Sequence, residues 1–271
     1  MAESTLVHVG PAPRIAVEVA GRGPLVVFLH GIGGNRHQWR TQLPVFAESF
    51  RAAAWDARGY GDSDDYPGPL SFADFTDDLE RLLDHFEAPD AHLVGLSMGG
   101  RIARNFSVRF PRRVRSLVLA NSSPGFDSLT DAEIEDFVRQ RRAPLLAGKS
   151  LAEVAAALVP RLLGPHASPG MHAELTAMMC ALRMEMYLKT VAASVRDDRG
   201  APLESLRVPT LVITSDHDRL YAPEIARGMA SRIAQARLEL IEDAGHLSNI
   251  EQPVVFNRLV MDFLVAHQGP Q

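Results

Sequence analysis

The sequence predicts an α/β fold: a mostly parallel central sheet with helices on both faces and a helical cap inserted between its two halves, at 124–202. Two observations carry this. Through residue 123 and again over 203–271, short apolar runs alternate with segments of helical periodicity. Between 124 and 202 only helical segments appear, which marks an insertion in one sheet domain.

The elements follow in order. Thr5 to Val9 and Arg14 to Val19 alternate well enough to form an antiparallel hairpin at the sheet edge. Leu25-Val26-Val27-Phe28-Leu29 is a continuous apolar run, suited to a strand covered on both faces. A helix over Trp39 to Ala47, a strand Arg51 to Trp55, and a helix Phe75 to Phe86 come next, the last with apolar residues at 75, 79, 82, 83 and 86. Strand Ala91 to Leu96, helix Ile102 to Phe110 and strand Leu117 to Ala120 complete the first part. The cap reads as helices Asp131 to Arg142, Leu151 to Leu158 and His172 to Val195, broken by Pro144, Pro160, Pro165 and Pro169. Strand Thr210 to Thr214, helix Pro223 to Ile233, strand Arg237 to Ile241 and helix Val254 to Val265 close the chain.

Composition excludes several function classes. Of 271 residues, 46% are hydrophobic and 23% charged, enough apolar material for a large core. With 28 basic and 33 acidic residues the net charge is −5, so no basic field is available to collect phosphates and nucleic acid is not an expected partner. Met1 to Arg14 lacks the basic segment and apolar run of a secretory signal, and no apolar stretch approaches the ~20 residues that span a bilayer. A cytoplasmic location without membrane attachment is therefore expected. Cys180, the single cysteine, has no disulfide partner and is expected inside an apolar helix, in a structural role.

Gly95-Leu96-Ser97-Met98-Gly99 matches the G-x-S-x-G nucleophile elbow and falls between a predicted strand and a predicted helix. A sharp turn there lifts the serine hydroxyl above the sheet, and side chains on the flanking glycines would crowd the strand and helix. The helix start aims the Met98 N–H at an oxygen that becomes negative in acyl transfer. A second donor is expected from His30-Gly31-Ile32-Gly33-Gly34 after the Leu25 to Leu29 strand, and the Ile32 N–H is assigned. His30, at a strand end, is read as a structural hydrogen bonder. The G-x-G-x-x-G of a dinucleotide loop is absent from the elbow.

The base should follow the acid in the chain. Of ten histidines only His246 falls in a loop just after the last strand; His8, His37, His85, His92, His166, His172 and His267 lie where solvated or structural roles suffice. The acid belongs at the end of Thr210 to Thr214, where Asp216 and Asp218 compete. Asp218 is chosen because a few residues beyond the strand are needed to reach His246, while Asp216 can brace its own turn and His217 stands by. Ser97, His246 and Asp218 then form a nucleophile, base and acid that need no metal or cofactor, and closely spaced metal ligands are not apparent.

With these residues in place the chain resembles the α/β-hydrolase superfamily over essentially its whole length, through His30-Gly31-Ile32-Gly33, Asp56 to Ser63, Gly95 to Gly100, Asp218 and Gly245-His246. Within it, Gly245 to Pro253 looks most like the 3-oxoadipate enol-lactonases and small esterases. That resemblance implies hydrolysis of a small carboxylic ester or lactone. Carbon–carbon bond hydrolases of vinylogous diketones use the same triad, though they tend to carry an aromatic residue where Leu247 stands. A non-catalytic small-molecule receptor on the same fold is the alternative of another class. The Asp56 to Ser63 charges are expected to brace loops. An anionic substrate would need a cation such as Arg141, Arg142, Arg161 or Arg183. The expected partner is a small-molecule substrate, and a homo-oligomer stays open.

Overall fold

A strand whose every side chain is apolar must be covered on both faces. In the computed structural model, which describes residues 3–126, 129–196 and 202–268, the strand β3 (Leu25–Leu29) is buried throughout. With β1 (Thr5–Val9), β2 (Ile15–Ala20), β4 (Arg51–Trp55), β5 (Ala91–Leu96), β6 (Val114–Ala120), β7 (Thr210–Ser215) and β8 (Arg237–Ile241) it builds one eight-stranded sheet, ordered β1-β2-β4-β3-β5-β6-β7-β8. The expected edge hairpin is β1 with β2, antiparallel, and β2 also pairs antiparallel with β4. All pairings from β4 to β8 are parallel. Leu25, Val27 and Leu29 of β3 join one core cluster while Val26 and Phe28 join the other. Against the first cluster lie α2 (Ala73–His85), α3 (Met98–Arg109) and α8 (Pro223–Arg232). The second is covered by α1 (Leu43–Phe46) and α10 (Pro253–Ala266).

Between β6 and β7 the chain forms α4 (Asp131–Leu146), α5 (Leu151–Leu162), α6 (Pro169–Cys180) and α7 (Met184–Arg196). Thr130 with Glu133 and Ser150 with Glu153 form capping boxes that start α4 and α5. Residues 127–128 and 197–201, within the stretch expected as cap, lie outside the described residues.

Several expected elements differ. The single helix over 172–195 is two helices, because Arg183 between them is drawn away to Asp65 and to the carbonyls of Gly61 (2.8 Å) and Ser63 (2.9 Å). Pro144 and Pro160 do not break their helices; each sits in the final turn, where little helix remains to disturb. The helix expected at Trp39 to Ala47 is a 3₁₀ turn, Arg36–Trp39, followed by α1, which restarts with Pro44 in its first turn. A short α9 (Ser248–Glu251) precedes α10. Cys180 is exposed as the last residue of α6, and Met178 and Met179 take the buried positions instead. Among the described residues no helix is long and apolar enough to cross a membrane.

Candidate active site

The loop between β5 and α3 is a single residue, Ser97, with φ 55° and ψ −117°. A left-handed backbone at a residue with a Cβ costs of order 1–3 kcal/mol and persists only where its surroundings enforce it. Here the Ser97 N–H donates to the Ala120 carbonyl (2.9 Å), and the Ser122 hydroxyl donates to the Ser97 carbonyl (2.7 Å). A Cβ on Gly99 would land on the Leu29 carbonyl oxygen, and one on Gly95 would strike the backbone of Gly99 and Gly100. The motif's glycines thus answer a spatial demand made by β3 and α3.

Both candidate oxyanion donors flank this turn. Met98 opens α3, so its N–H has no intrahelical acceptor. The loop after β3 runs so close that a Cβ on Gly31 would stand 3.1 Å from Ser97 Cβ, and Ile32 lines the same cavity as Ser97. His30 beside them has both nitrogens committed: Nδ1 lies 2.8 Å from the Gly31 carbonyl oxygen, and Nε2 accepts from the Ala57 N–H at 3.0 Å. Burial pushes its pKa below the usual histidine range, which keeps the ring neutral.

His246 Nδ1 lies 3.0 Å from Asp218 Oδ2. The other carboxylate oxygen, Oδ1, accepts from the Leu220 and Tyr221 amides at 2.8 and 3.0 Å. Asn121, just past β6, donates to Asp218 Oδ2 (3.1 Å) and to Ser215 Oγ (2.9 Å), while its own oxygen accepts from Ser248 Oγ (2.6 Å). Burial pushes the Asp218 carboxyl upward, but His246, the Tyr221 amide and Asn121 together outweigh it and hold the group below its ordinary value. Asp216 turns outward, where its carboxylate accepts from the Asp243 and Ala244 amides. It therefore braces the histidine loop rather than its own turn. Asp216, His217 and Asp243 bring ligand-type atoms within 4.8 Å of one another at the surface, a proximity the sequence hides because Asp243 arrives from beyond β8.

Ser97, Ile32 and His246 face one cavity of about 120 Å³ between sheet and cap, walled by Leu158, Leu162, Leu175, Met179 and Tyr187. A wider, shallow groove along Asp74, Lys189 and Arg196 contains none of these site residues. Of the four arginines expected to serve an anion, only Arg141 lines the cavity; Arg183 is taken up by Asp65. Arg141 lies over the Phe137 ring, and among the described residues no carboxylate pairs with it. Although one flank is exposed, desolvation of the remainder lowers its pKa. Arg101, from the nucleophile helix, also lines the cavity and donates to the Ser194 carbonyl (2.6 Å). Sequence reasoning missed both Arg101 and Asn121. Asn121 stands just past a strand end on the same sheet edge as the other site residues, the one signal that could have found it.

Asp56 accepts from the Arg36 amide (2.7 Å) and the Asp62 amide (2.9 Å), and Arg58 grips Asp78, so these charges brace loops as expected. The alpha/beta hydrolase fold model matches residues 24–253. Over 88% of this chain and 87% of its own, 3-oxoadipate enol-lactonase 2 of Acinetobacter baylyi is 29% identical. The 2-hydroxy-6-oxononadienedioate/2-hydroxy-6-oxononatrienedioate hydrolase of Cupriavidus pinatubonensis is 28% identical over 93% of this chain and 90% of its own. The solved enol-lactonase from Burkholderia xenovorans LB400 superposes with a TM-score of 0.85 at 25% identity, covering 96% of this chain and all of its own (100%). With sheet order, elbow and family match in agreement, this chain is an enzyme of the alpha/beta hydrolase fold family.

Proposed function

We propose that the protein hydrolyses a small carboxylic ester or lactone through Ser97, His246 and Asp218. The observation that carries the reading is the His246–Asp218 hydrogen bond at 3.0 Å beside a serine held in a left-handed turn, all at one cavity. With Asp218 ionised, Nδ1 keeps the ring proton and Nε2 is free to accept one. His246 takes the Ser97 proton as Oγ attacks the acyl carbon, and the Ile32 and Met98 amides receive the oxyanion. The base then protonates the leaving oxygen, and water repeats the cycle on the acyl-enzyme. The lactone or ester resemblance supports the substrate class, and a cavity of about 120 Å³ favours a compact acyl group, since one of roughly 150 Å³ accepts a benzene ring. Arg141 supports a substrate that carries a carboxylate.

The match to a carbon–carbon bond hydrolase favours a second reading, cleavage of a vinylogous diketone at the same serine. A panel of p-nitrophenyl acetate, lactones, amides and vinylogous diketones, assayed with wild type and Ser97→Ala, separates the two. Ester or lactone turnover that falls at least 10³-fold in a folded Ser97→Ala variant is the expected result. Undiminished turnover would remove the proposal, and stoichiometric binding without turnover would point to a receptor.

A further inference from the structure

In the loop that carries His246, five consecutive amides, Asp243 to Leu247, are each held by a hydrogen bond. Those of Asp243 and Ala244 donate to Asp216, at 3.1 and 3.3 Å. The Gly245 and Leu247 amides, on either side of the histidine, both donate to Glu251 Oε1, at 3.0 and 3.2 Å. The His246 amide itself donates to the carbonyl of Leu162, at the end of cap helix α5, at 2.7 Å. Glu251 does not stop at the loop, for its Oε2 accepts from the cap amide of Gly164 at 2.6 Å.

The two segments also meet without side chains between them. A Cβ on Gly164 would stand 2.8 Å from the Gly245 nitrogen, and one on Gly245 would stand 2.5 Å from the Gly164 nitrogen. Leu158 and Leu162, on the same end of α5, form part of the cavity wall.

We propose that Glu251 is a positioning residue for His246: its carboxylate clamps the amides flanking the histidine to the cap amide of Gly164, so the base and the α5 wall of the cavity form one rigid piece. The proposal rests on the reading of His246 as the base. A substrate seated against Leu158 and Leu162 is thereby registered to the imidazole. The end of α5 serves as a fixed wall, and any opening of the cap pivots elsewhere. No atom of Glu251 touches the reacting groups.

Two variants separate the arms of the clamp. Glu251→Gln keeps Oε1 for Gly245 and Leu247 but turns an N–H toward the Gly164 N–H, which severs the cap arm. Glu251→Ala removes both. The readouts are the rate at which a p-nitrophenyl alkylphosphonate labels Ser97, followed by mass spectrometry; kcat and KM for p-nitrophenyl acetate per labelled site; and amide hydrogen exchange. The expected result is a fall in labelling rate and kcat of about tenfold for Glu251→Gln and about 10²-fold for Glu251→Ala, the size of an ångström-scale misplacement, with KM within about twofold. Exchange at Gly164 should rise in both variants, and at Gly245 to Leu247 in the alanine variant. Should the alanine variant not fold, the glutamine variant decides alone. Wild-type labelling and kcat in a folded variant overturn the proposal, as does unchanged exchange at Gly164. If wild type itself is not labelled, the hydrolase reading fails instead, and joint exchange of the cap and loop amides still decides whether the clamp exists.

Discussion

Arg141 can be tested apart from the chemistry because it lines the cavity without touching Ser97, Asp218 or His246 in any hydrogen bond. Replacing it by methionine keeps the stem and removes the charge. KM for a carboxylate-bearing ester should rise about tenfold or more, the scale of one charge-assisted hydrogen bond, while p-nitrophenyl acetate kinetics stay within about twofold; equal effects on both would exclude a charge-reading role. Asn121 makes a different prediction. Asn121→Asp exchanges a donor for a like charge beside Asp218, which disfavours ionisation, so the acid limb of the kcat/KM profile should move to higher pH. An unmoved limb would show that Asn121 does not set the acid. The sharp turn at Ser97 was legible because G-x-S-x-G encodes its own geometry, and the approach of Asp218 rather than Asp216 to His246 because reach from a strand end can be counted. Asn121 and Arg101 were not, since a lone polar residue after a strand or in a helix reads as solvated until its neighbours from distant segments are known.

Whole elements were legible where periodicity is set by a continuous core. The inner strands and the long helices α2, α3 and α10 have this character, and β3 with its two-sided burial is the plainest case. Where a single distant contact decides, the pattern is silent: the α6–α7 break follows from Arg183 reaching Asp65, with no glycine or proline to mark it. The elbow shows how tightly elements are joined. Gly99→Ala would drive a Cβ into the carbonyls of Leu29, the last residue of β3, and of His30 just beyond it, and backbone has no rotamer by which to yield. A loss of about 1–3 kcal/mol is expected in urea unfolding, together with reduced labelling of Ser97. A variant as stable and reactive as wild type would contradict the close approach.

At the scale of the whole molecule, two histidines that the fold keeps neutral contribute to acid sensitivity. His92, in the middle of the sheet with Nδ1 2.7 Å from Ser116 Oγ, is pushed down to about 3 by burial, with Arg115 and His267 adding repulsion, and His30 is lowered by burial as well. Unfolded histidines titrate near 6.5, so below that pH the unfolded chain takes up protons that the native state refuses. The contribution is complete above about pH 6.5 and should decline toward pH 3 by about 1.4 kcal/mol per pH unit for His92 alone. Urea titrations at pH 7, 6 and 5 should show that slope, flattened in His92→Gln; an equal slope in both proteins would assign acid sensitivity to other groups. The order of the strands has a temporal consequence. β3, β4, β5 and β6 can pair with one another as soon as residue 120 has left the ribosome, and the serine turn forms among finished neighbours. Asp218 and His246 emerge only with the loops after β7 and β8, roughly five to twenty-five seconds later at ordinary translation rates. On the proposed triad the nascent chain displays through that interval an alcohol with nothing to deprotonate it, so synthesis withholds the reactivity of Ser97 until the segment beyond β8 has been made.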